Sequence, residues 1–92
     1  MAHKTTQEYL NGFLNLEPHE FMRGLRYEVG ESVESIENAT WVISKMLDRE
    51  ETSKDDVKES IRIIREDLNN ITRLMDVAVE YDDIKRNGEQ EK

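Results

Sequence analysis

The sequence predicts an all-α fold: an antiparallel helical hairpin with a short N-terminal helix, which pairs with a second chain in a homodimeric four-helix bundle. Apolar residues recur in steps of three and four along two long segments, the spacing of side chains on one face of an α-helix. A polar stretch, DREETS at 48–53, separates the two segments. Each segment also carries a second apolar stripe, which a lone hairpin would leave in water.

The N-terminal residues 5–16 predict a short lead-in helix. We expect it to pack on one end of the hairpin through Leu10, Phe13 and Leu14. Helix A, over about 18–48, begins at Pro18, because proline lacks the N–H group that the first turn of a helix leaves unpaired. Its main apolar run consists of Met22, Leu25, Val29, Val33, Ile36, Thr40, Ile43 and Leu47.

Helix B is predicted over about 53–84. Thr52 and Ser53 stand three residues before Asp55 and Asp56, which is the spacing of a capping box at a helix start. The dipeptide Asn87-Gly88 is predicted to end the helix. The main apolar run of helix B consists of Val57, Ile61, Ile64, Leu68, Ile71, Met75 and Ala78.

The second apolar stripe is the reason for predicting a dimer. It consists of Ala39, Val42 and Met46 on helix A and of Ile63, Leu74, Val77 and Tyr81 on helix B. If the main runs face each other within one hairpin, a second copy of the chain is needed to cover this stripe.

Composition limits the classes of function. The chain has 92 residues, the size of one domain spanning 1–92, with 21 acidic against 13 basic side chains and a formal net charge of -8 at pH 7. A protein that binds nucleic acid directly needs a positive field, so we expect no such contact and a basic partner surface instead. The absence of Cys excludes thiolate metal sites and fits a cytoplasmic location. No apolar run is long enough for a membrane span.

Polar residues interrupt the second stripe at one height of the bundle. With the turn centred near residue 50, Glu31 should lie level with Asn70, and Glu34 or Ser35 level with Asp67. Oxygen-bearing side chains on facing helices are the ligands that hard divalent cations prefer. Gly30, between the two glutamates, is compatible with a close backbone approach at this height or with a tolerated mid-helix glycine.

Two segments resemble a known family. LRYEVGESVESI at 25–36 and EDLNNITRLMD at 66–76 are similar to the two motif helices of the all-α, MazG-like nucleoside triphosphate pyrophosphatases. The resemblance implies a Mg²⁺ site for pyrophosphohydrolysis, held by Glu28, Glu31, Asp67 and Asn70. Asp67 is one carbon shorter than the glutamate of the family, and Asn70 replaces a charged aspartate. A solvated acidic face, a vestigial metal site and a working one therefore remain alternatives.

A second resemblance concerns the start of helix A. FMRGLRYEV at 21–29 is similar to the F-L-x-x-x-x-H-E-L segment of sensor histidine kinase dimerisation domains, which are also dimeric helical hairpins. Tyr27 stands where that family has its phosphorylated histidine. The resemblance implies a dimerisation module without phosphotransfer.

The layout of charge gives the function that we favour. Two rows of carboxylates contain no cation within them: Glu28, Glu31, Glu34 and Glu37 on helix A, and Asp76, Glu80, Asp82 and Asp83 on helix B. Such rows repel themselves and attract a basic surface. We expect a non-catalytic protein, without catalytic residues or an obligatory cofactor, that blocks a basic surface such as the DNA-binding face of another protein. Plain solubility is the alternative.

Overall fold

The computed structural model describes residues 3–49 and 53–90, and for 89 and 90 the backbone only. The chain forms three α-helices, α1 (Thr6–Phe13), α2 (Pro18–Arg49) and α3 (Lys54–Gln90), and no strand occurs within these residues. The predicted all-α fold with a short N-terminal helix is therefore confirmed.

Each helix begins at a residue suited to the position. Thr5 forms a capping box before α1: its hydroxyl accepts from the N–H of Glu8, and the Glu8 carboxylate accepts from the N–H of Thr5, both at 3.2 Å. Such reciprocal bonds pair N–H groups that the first turn leaves free. α2 begins at Pro18, and Ser53 caps α3 by accepting from the N–H of Asp56.

Two of the predicted helix boundaries differ from those in the structure or lie outside the described residues. The predicted cap residue Thr52 lies outside the described residues, as does the middle of the 48–53 stretch. The prediction that Asn87-Gly88 ends the last helix is wrong, because α3 continues to Gln90. A glycine ends a helix when it takes a positive φ, and Gly88 has no such backbone conformation.

The hydrophobic core lies at the end of the hairpin away from the loop. It consists of Tyr9, Leu10 and Phe13 of α1, Phe21 of α2, and Leu74, Val77 and Tyr81 of α3. The Phe21 and Tyr81 rings stack with centroids 3.9 Å apart, and Phe13 meets Phe21 edge-on at 5.2 Å. The Tyr81 hydroxyl donates to the carbonyl of Leu16 at 2.6 Å, which fixes the α1–α2 connection against α3.

The helices face each other through different stripes from those predicted. The inner stripe, as we call the positions between α2 and α3, contains Phe21, Glu28, Ser32, Ser35, Ala39 and Met46 of α2 and Ser60, Ile63, Asp67, Asn70, Leu74, Val77 and Tyr81 of α3. The expectation that a lone hairpin leaves Leu74, Val77 and Tyr81 in water is therefore wrong: Leu74 and Val77 are fully buried and Tyr81 is 4% exposed.

The predicted main runs lie instead along one side of this contact, where some members are exposed and others, among them Val29 and Ala78, are partly buried against the core. The outer stripe, as we call these positions, contains Met22, Val29, Val33, Ile36, Thr40 and Leu47 of α2 and Ile61, Ile64, Leu68, Ile71, Met75 and Ala78 of α3. Each of these residues directly follows a residue of the inner stripe, so it lies about 100° further around its helix. Met22, Leu47 and Met75 are each at least 60% exposed.

Small residues explain which stripe lies inside. Ser32, Ala39 and Ser60 are buried at the contact between the long helices, and short side chains allow two helix axes to approach closely. At Gly24, an added Cβ would come within 2.8 Å of the Phe13 ring. The close approach that the sequence allowed at Gly30 therefore occurs at Gly24, since nothing lies within 4 Å of a Cβ at Gly30.

Candidate functional site

A buried polar layer crosses the hairpin at the predicted height. Asn70 is 1% exposed, Ser32 2% and Asp67 3%. The Asn70 amide nitrogen donates to the Ser32 hydroxyl at 3.0 Å, and the Tyr9 hydroxyl donates to the Asn70 amide oxygen at 3.2 Å. Both ends of the Asn70 amide are thus paired, which is what a buried amide requires.

Asp67, one helical turn before Asn70, is only partly satisfied. Its Oδ1 lies 3.1 Å from Nε2 of His3, a partly buried residue ahead of α1. Its Oδ2 is buried and has no hydrogen-bond partner within the described part of the chain. A buried carboxylate with one free oxygen carries a desolvation cost that its single contact offsets incompletely.

The sequence predicted the height of this layer and part of its membership. Glu31 was expected level with Asn70, and the observed partner of Asn70 is the neighbouring Ser32. His3 and Tyr9 were missed, since no periodicity links residues of the N-terminal segment to positions more than 60 residues away. The phenol of Tyr9 was the one available signal, because a tyrosine that packs in a core needs a polar partner for its hydroxyl.

The residues predicted to bind Mg²⁺ do not form a ligand set in this geometry. Asp67 and Asn70 point into the buried layer, Glu28 is partly buried, and Glu31 is exposed. Among the described residues, no three His, Cys, Asp or Glu side chains are grouped so that they would hold a metal ion. The amide oxygen of Asn70 is already an acceptor for Tyr9. The arrangement does not fit a multi-carboxylate magnesium centre, and we derive no chemistry through one.

The two predicted carboxylate rows are placed differently. On α3, Asp76 comes two residues after the buried Leu74, and Asp83 comes two residues after the buried Tyr81. Both therefore lie about 200° around the helix from its buried face, on the side away from α2. Glu80 lies between them and is also exposed. On α2, steps of three residues fall about 60° short of a full turn. The α2 row therefore winds around the helix, from partly buried Glu28 through the exposed Glu31 and Glu34 to exposed Glu37.

Among the described residues, only one carboxylate of the two rows has a cationic partner. Asp82 pairs with Arg86 at 2.9 Å, and within the described residues it is the only member of either row that takes part in an ion pair. Arg62, by contrast, pairs with both Glu59 and Glu66 outside the rows. The rows thus keep most of their negative charge toward solvent.

Tyr27, at the position of the histidine kinase resemblance, is 65% exposed. A hydrogen bond to the Glu31 carboxylate, and then the charge of Glu31, raise the pKa of Tyr27 above its usual value. Tyr27 is therefore a surface phenol beside the Glu31 carboxylate, and its role in a dimerisation module stays a prediction.

A shallow cleft that the sequence did not predict lies near the loop. It measures about 270 Å³ and is lined by Trp41, Val42, Lys45, Met46 and Arg49. The Lys45 ammonium lies 5.5 Å from the centroid of the Trp41 ring, within cation–π range. The cleft carries the positive charges of Lys45 and Arg49, so it is not part of the acidic surface formed by the carboxylate rows.

Comparison of the chain with protein-family models, curated proteins and solved structures gives no significant match. The two family resemblances therefore rest on short sequence segments, among them 21–36 and 66–76, and both stay predictions. Over the described residues, no helix combines the length and the apolar character that crossing a bilayer requires.

Proposed function

We propose that this protein is a non-catalytic, homodimeric interaction protein that binds and blocks a basic surface of a partner, such as the face with which a DNA-binding protein contacts DNA. The observation that carries the proposal is the pair of solvent-facing carboxylate rows, of which only Asp82 has an ion-pair partner among the described residues. A net charge of -8 adds a long-range attraction toward cationic surfaces.

The exposed carboxylates of α3 form the core of the proposed contact. Asp76, Glu80 and Asp83 recur in steps of four and three residues, which keeps them on one face over about two helical turns. A basic partner would meet them as a straight row. The winding row of α2 contributes mainly to the surrounding field.

Binding to a labelled oligolysine peptide tests this proposal. We expect affinity to fall steeply as salt rises, because charges on two solvated surfaces are screened over about 8–10 Å at physiological ionic strength. The triple variant Asp76→Asn/Glu80→Gln/Asp83→Asn should bind at least about tenfold more weakly than the wild type at low salt.

A matched control separates the row from net charge alone. The variant Asp48→Asn/Asp55→Asn/Asp56→Asn changes net charge equally at exposed positions outside the rows, and it should retain most of the affinity. Equal weakening in both variants would mean that the peptide senses only overall charge, and the proposed contact would be refuted.

A Mg²⁺-dependent nucleoside triphosphate pyrophosphohydrolase is the alternative that the family resemblance implies. The described side chains do not form its ligand set, and its one supporting observation is the buried oxygen of Asp67 that has no partner among the described residues. Pyrophosphate release from nucleoside triphosphates with Mg²⁺ or Mn²⁺, measured beside Glu31→Ala, tests it. Release that disappears in the variant would establish the enzyme. The absence of release from every nucleotide would remove this candidate.

A further inference from the structure

We infer that the outer stripe is the surface on which a second copy of this chain docks, through a two-fold interface formed by α2 and α3 of both copies. This inference deepens the homodimer of the proposed function by naming its interface, and it is independent of the basic partner.

The outer stripes of the two helices lie on one side of the hairpin. On both α2 and α3 the outer stripe is displaced from the inner stripe by one residue toward the C-terminus, about 100° in the same rotational sense. In an antiparallel pair of helices, equal displacements bring the two stripes to the same side. The result is one apolar surface that extends from Met22 near α1 to Leu47 and Ile61 near the loop.

The short helix α1 covers the opposite side. Phe13 packs on Gly24, which comes two residues after Met22 and so lies about 200° around α2 from the outer stripe, on its other side. Within the described residues, no segment of the chain packs over the outer stripe along its length. Its six most exposed apolar members are between 40% and 66% exposed: Met22, Val33, Leu47, Ile61, Leu68 and Met75.

The chain exposes enough surface beyond that of a compact monomer to form a standard dimer interface. The chain exposes 7194 Å², whereas a compact monomer of 10.9 kDa exposes about 5,600 Å². The excess exceeds the roughly 800 Å² that each partner buries in a standard interface. The radius of gyration is 17.4 Å, against about 12 Å for a compact domain of this length.

The chemistry of the outer stripe favours a second copy over the basic partner. Between Met22 and Leu47 on α2 and between Ile61 and Ala78 on α3 the stripe contains no charged residue, and Thr40 is its only polar one. The next position in the same register on α3 is Asp82, where the apolar surface ends. Homodimer interfaces are the more apolar class of protein interface, and a basic surface would gain no charge pairing here. A two-fold axis also places apolar surface against identical apolar surface along the full length of the hairpin.

Sedimentation velocity of the full chain over a range of concentrations tests the inference. The wild type should sediment at about twice 10.9 kDa. The variant Leu68→Glu/Met75→Glu should sediment as a monomer, with a dissociation constant raised at least about a hundredfold, because four carboxylates per dimer would lose water without a partner. Both positions are exposed in the single chain, so the helical circular dichroism should persist.

The control variant is Trp41→Glu/Ile84→Glu, which adds the same charge at two similarly exposed apolar positions away from the outer stripe. It should remain a dimer. A dimer that persists in Leu68→Glu/Met75→Glu would overturn the interface while leaving the homodimer intact. A wild type that is monomeric at high micromolar concentration would overturn both, and oligolysine binding would still test the acidic contact separately.

Discussion

At the residue scale, Asp67 and Asn70 lie on neighbouring turns of one buried face but differ in how completely their side-chain polar atoms are hydrogen-bonded. Asp67→Leu should raise the free energy of unfolding by about 1–3 kcal/mol, because it removes a buried charge whose Oδ2 lacks a partner within the described residues. His3 loses its contact but remains partly exposed to water. Urea unfolding at pH 8 measures the change.

Asn70→Leu is the matched control for Asp67→Leu. It should lower the free energy of unfolding, whereas Asp67→Leu should raise it. It leaves the hydroxyls of Tyr9 and Ser32 without the partners that Asn70 provides, at a cost of about 1–3 kcal/mol for each buried group that stays unpaired. If both leucine variants shifted stability in the same direction, the difference in pairing would not be what distinguishes the two positions.

The hydroxyl of Tyr81 gives the fold a dependence on alkaline pH. Burial, and then the negative charges of Glu17 and Glu20, raise the pKa of Tyr81 above the usual value of 10.0. The protonated hydroxyl, which donates to Leu16, is therefore favoured in the folded state. Its contribution is fully present below the unfolded pKa and is lost as pH rises through the higher folded value.

We therefore expect the melting temperature to fall more steeply above pH 10 in the wild type than in Tyr81→Phe, which has no proton to lose at this position. At neutral pH the variant should melt lower, since the Leu16 carbonyl loses its donor. Thermal unfolding of both proteins at a series of pH values measures this difference. Parallel curves above pH 10 would contradict the role given to Tyr81.

At the scale of elements, two glycines of α2 report how tightly α1 is docked. Gly30→Ala should stabilise the protein by about 1 kcal/mol, because alanine is the better helix former and the site is open. Gly24→Ala gains the same propensity but forces the Phe13 ring to move, since a Cβ would lie 2.8 Å from it. Overpacking costs about 1–3 kcal/mol, so the net effect should be destabilising.

Chemical unfolding of the two alanine variants side by side makes this comparison. Equal stabilisation by both would show that Phe13 yields freely and that α1 is only loosely held on α2. A loss of stability confined to Gly24→Ala would show that α1 and α2 are packed in close contact at this point.

The elements themselves were largely predictable from the sequence, and the reasons are local. Pro18 and Ser53 are residues whose side chains or missing N–H group suit a helix start wherever they stand. The end of α3 was not predictable in the same way. Gly88 permits a helix to end but does not force it to. At Gly88 the backbone does not take the positive φ of a helix end, and α3 continues to Gln90.

Which stripe lies inside was not predictable from apolar periodicity, because the two stripes differ by a single residue step. Periodicity ranks the more apolar stripe as buried. The observed choice depends on Tyr9, which pairs the otherwise costly Asn70, and on small residues such as Ala39 and Ser60, which permit close approach. The same tertiary dependence explains why the height of the polar layer was predicted while His3 and Tyr9 were missed.

At the scale of the whole molecule, burial is unevenly distributed along a shape 64 Å long and 19 by 16 Å across. Every member of the hydrophobic core cluster lies at the end away from the loop, whereas the buried residues nearer the loop are the small Ala39 and Ser60. Local opening is easiest where few apolar side chains are buried. The loop half of the hairpin should therefore open more readily than the half that carries α1.

Hydrogen exchange followed by mass spectrometry tests this gradient. In dilute protein, amides over 40–49 and 54–64 should exchange at least about tenfold faster than those over 20–32 and 67–81, because they open without disrupting the aromatic core. At high concentration the loop half should gain protection, since the outer stripe extends to Leu47 and Ile61 and a second copy would cover them. Uniform exchange along both helices would contradict the gradient. A gradient that does not change with concentration would mean that the loop half remains exposed to solvent.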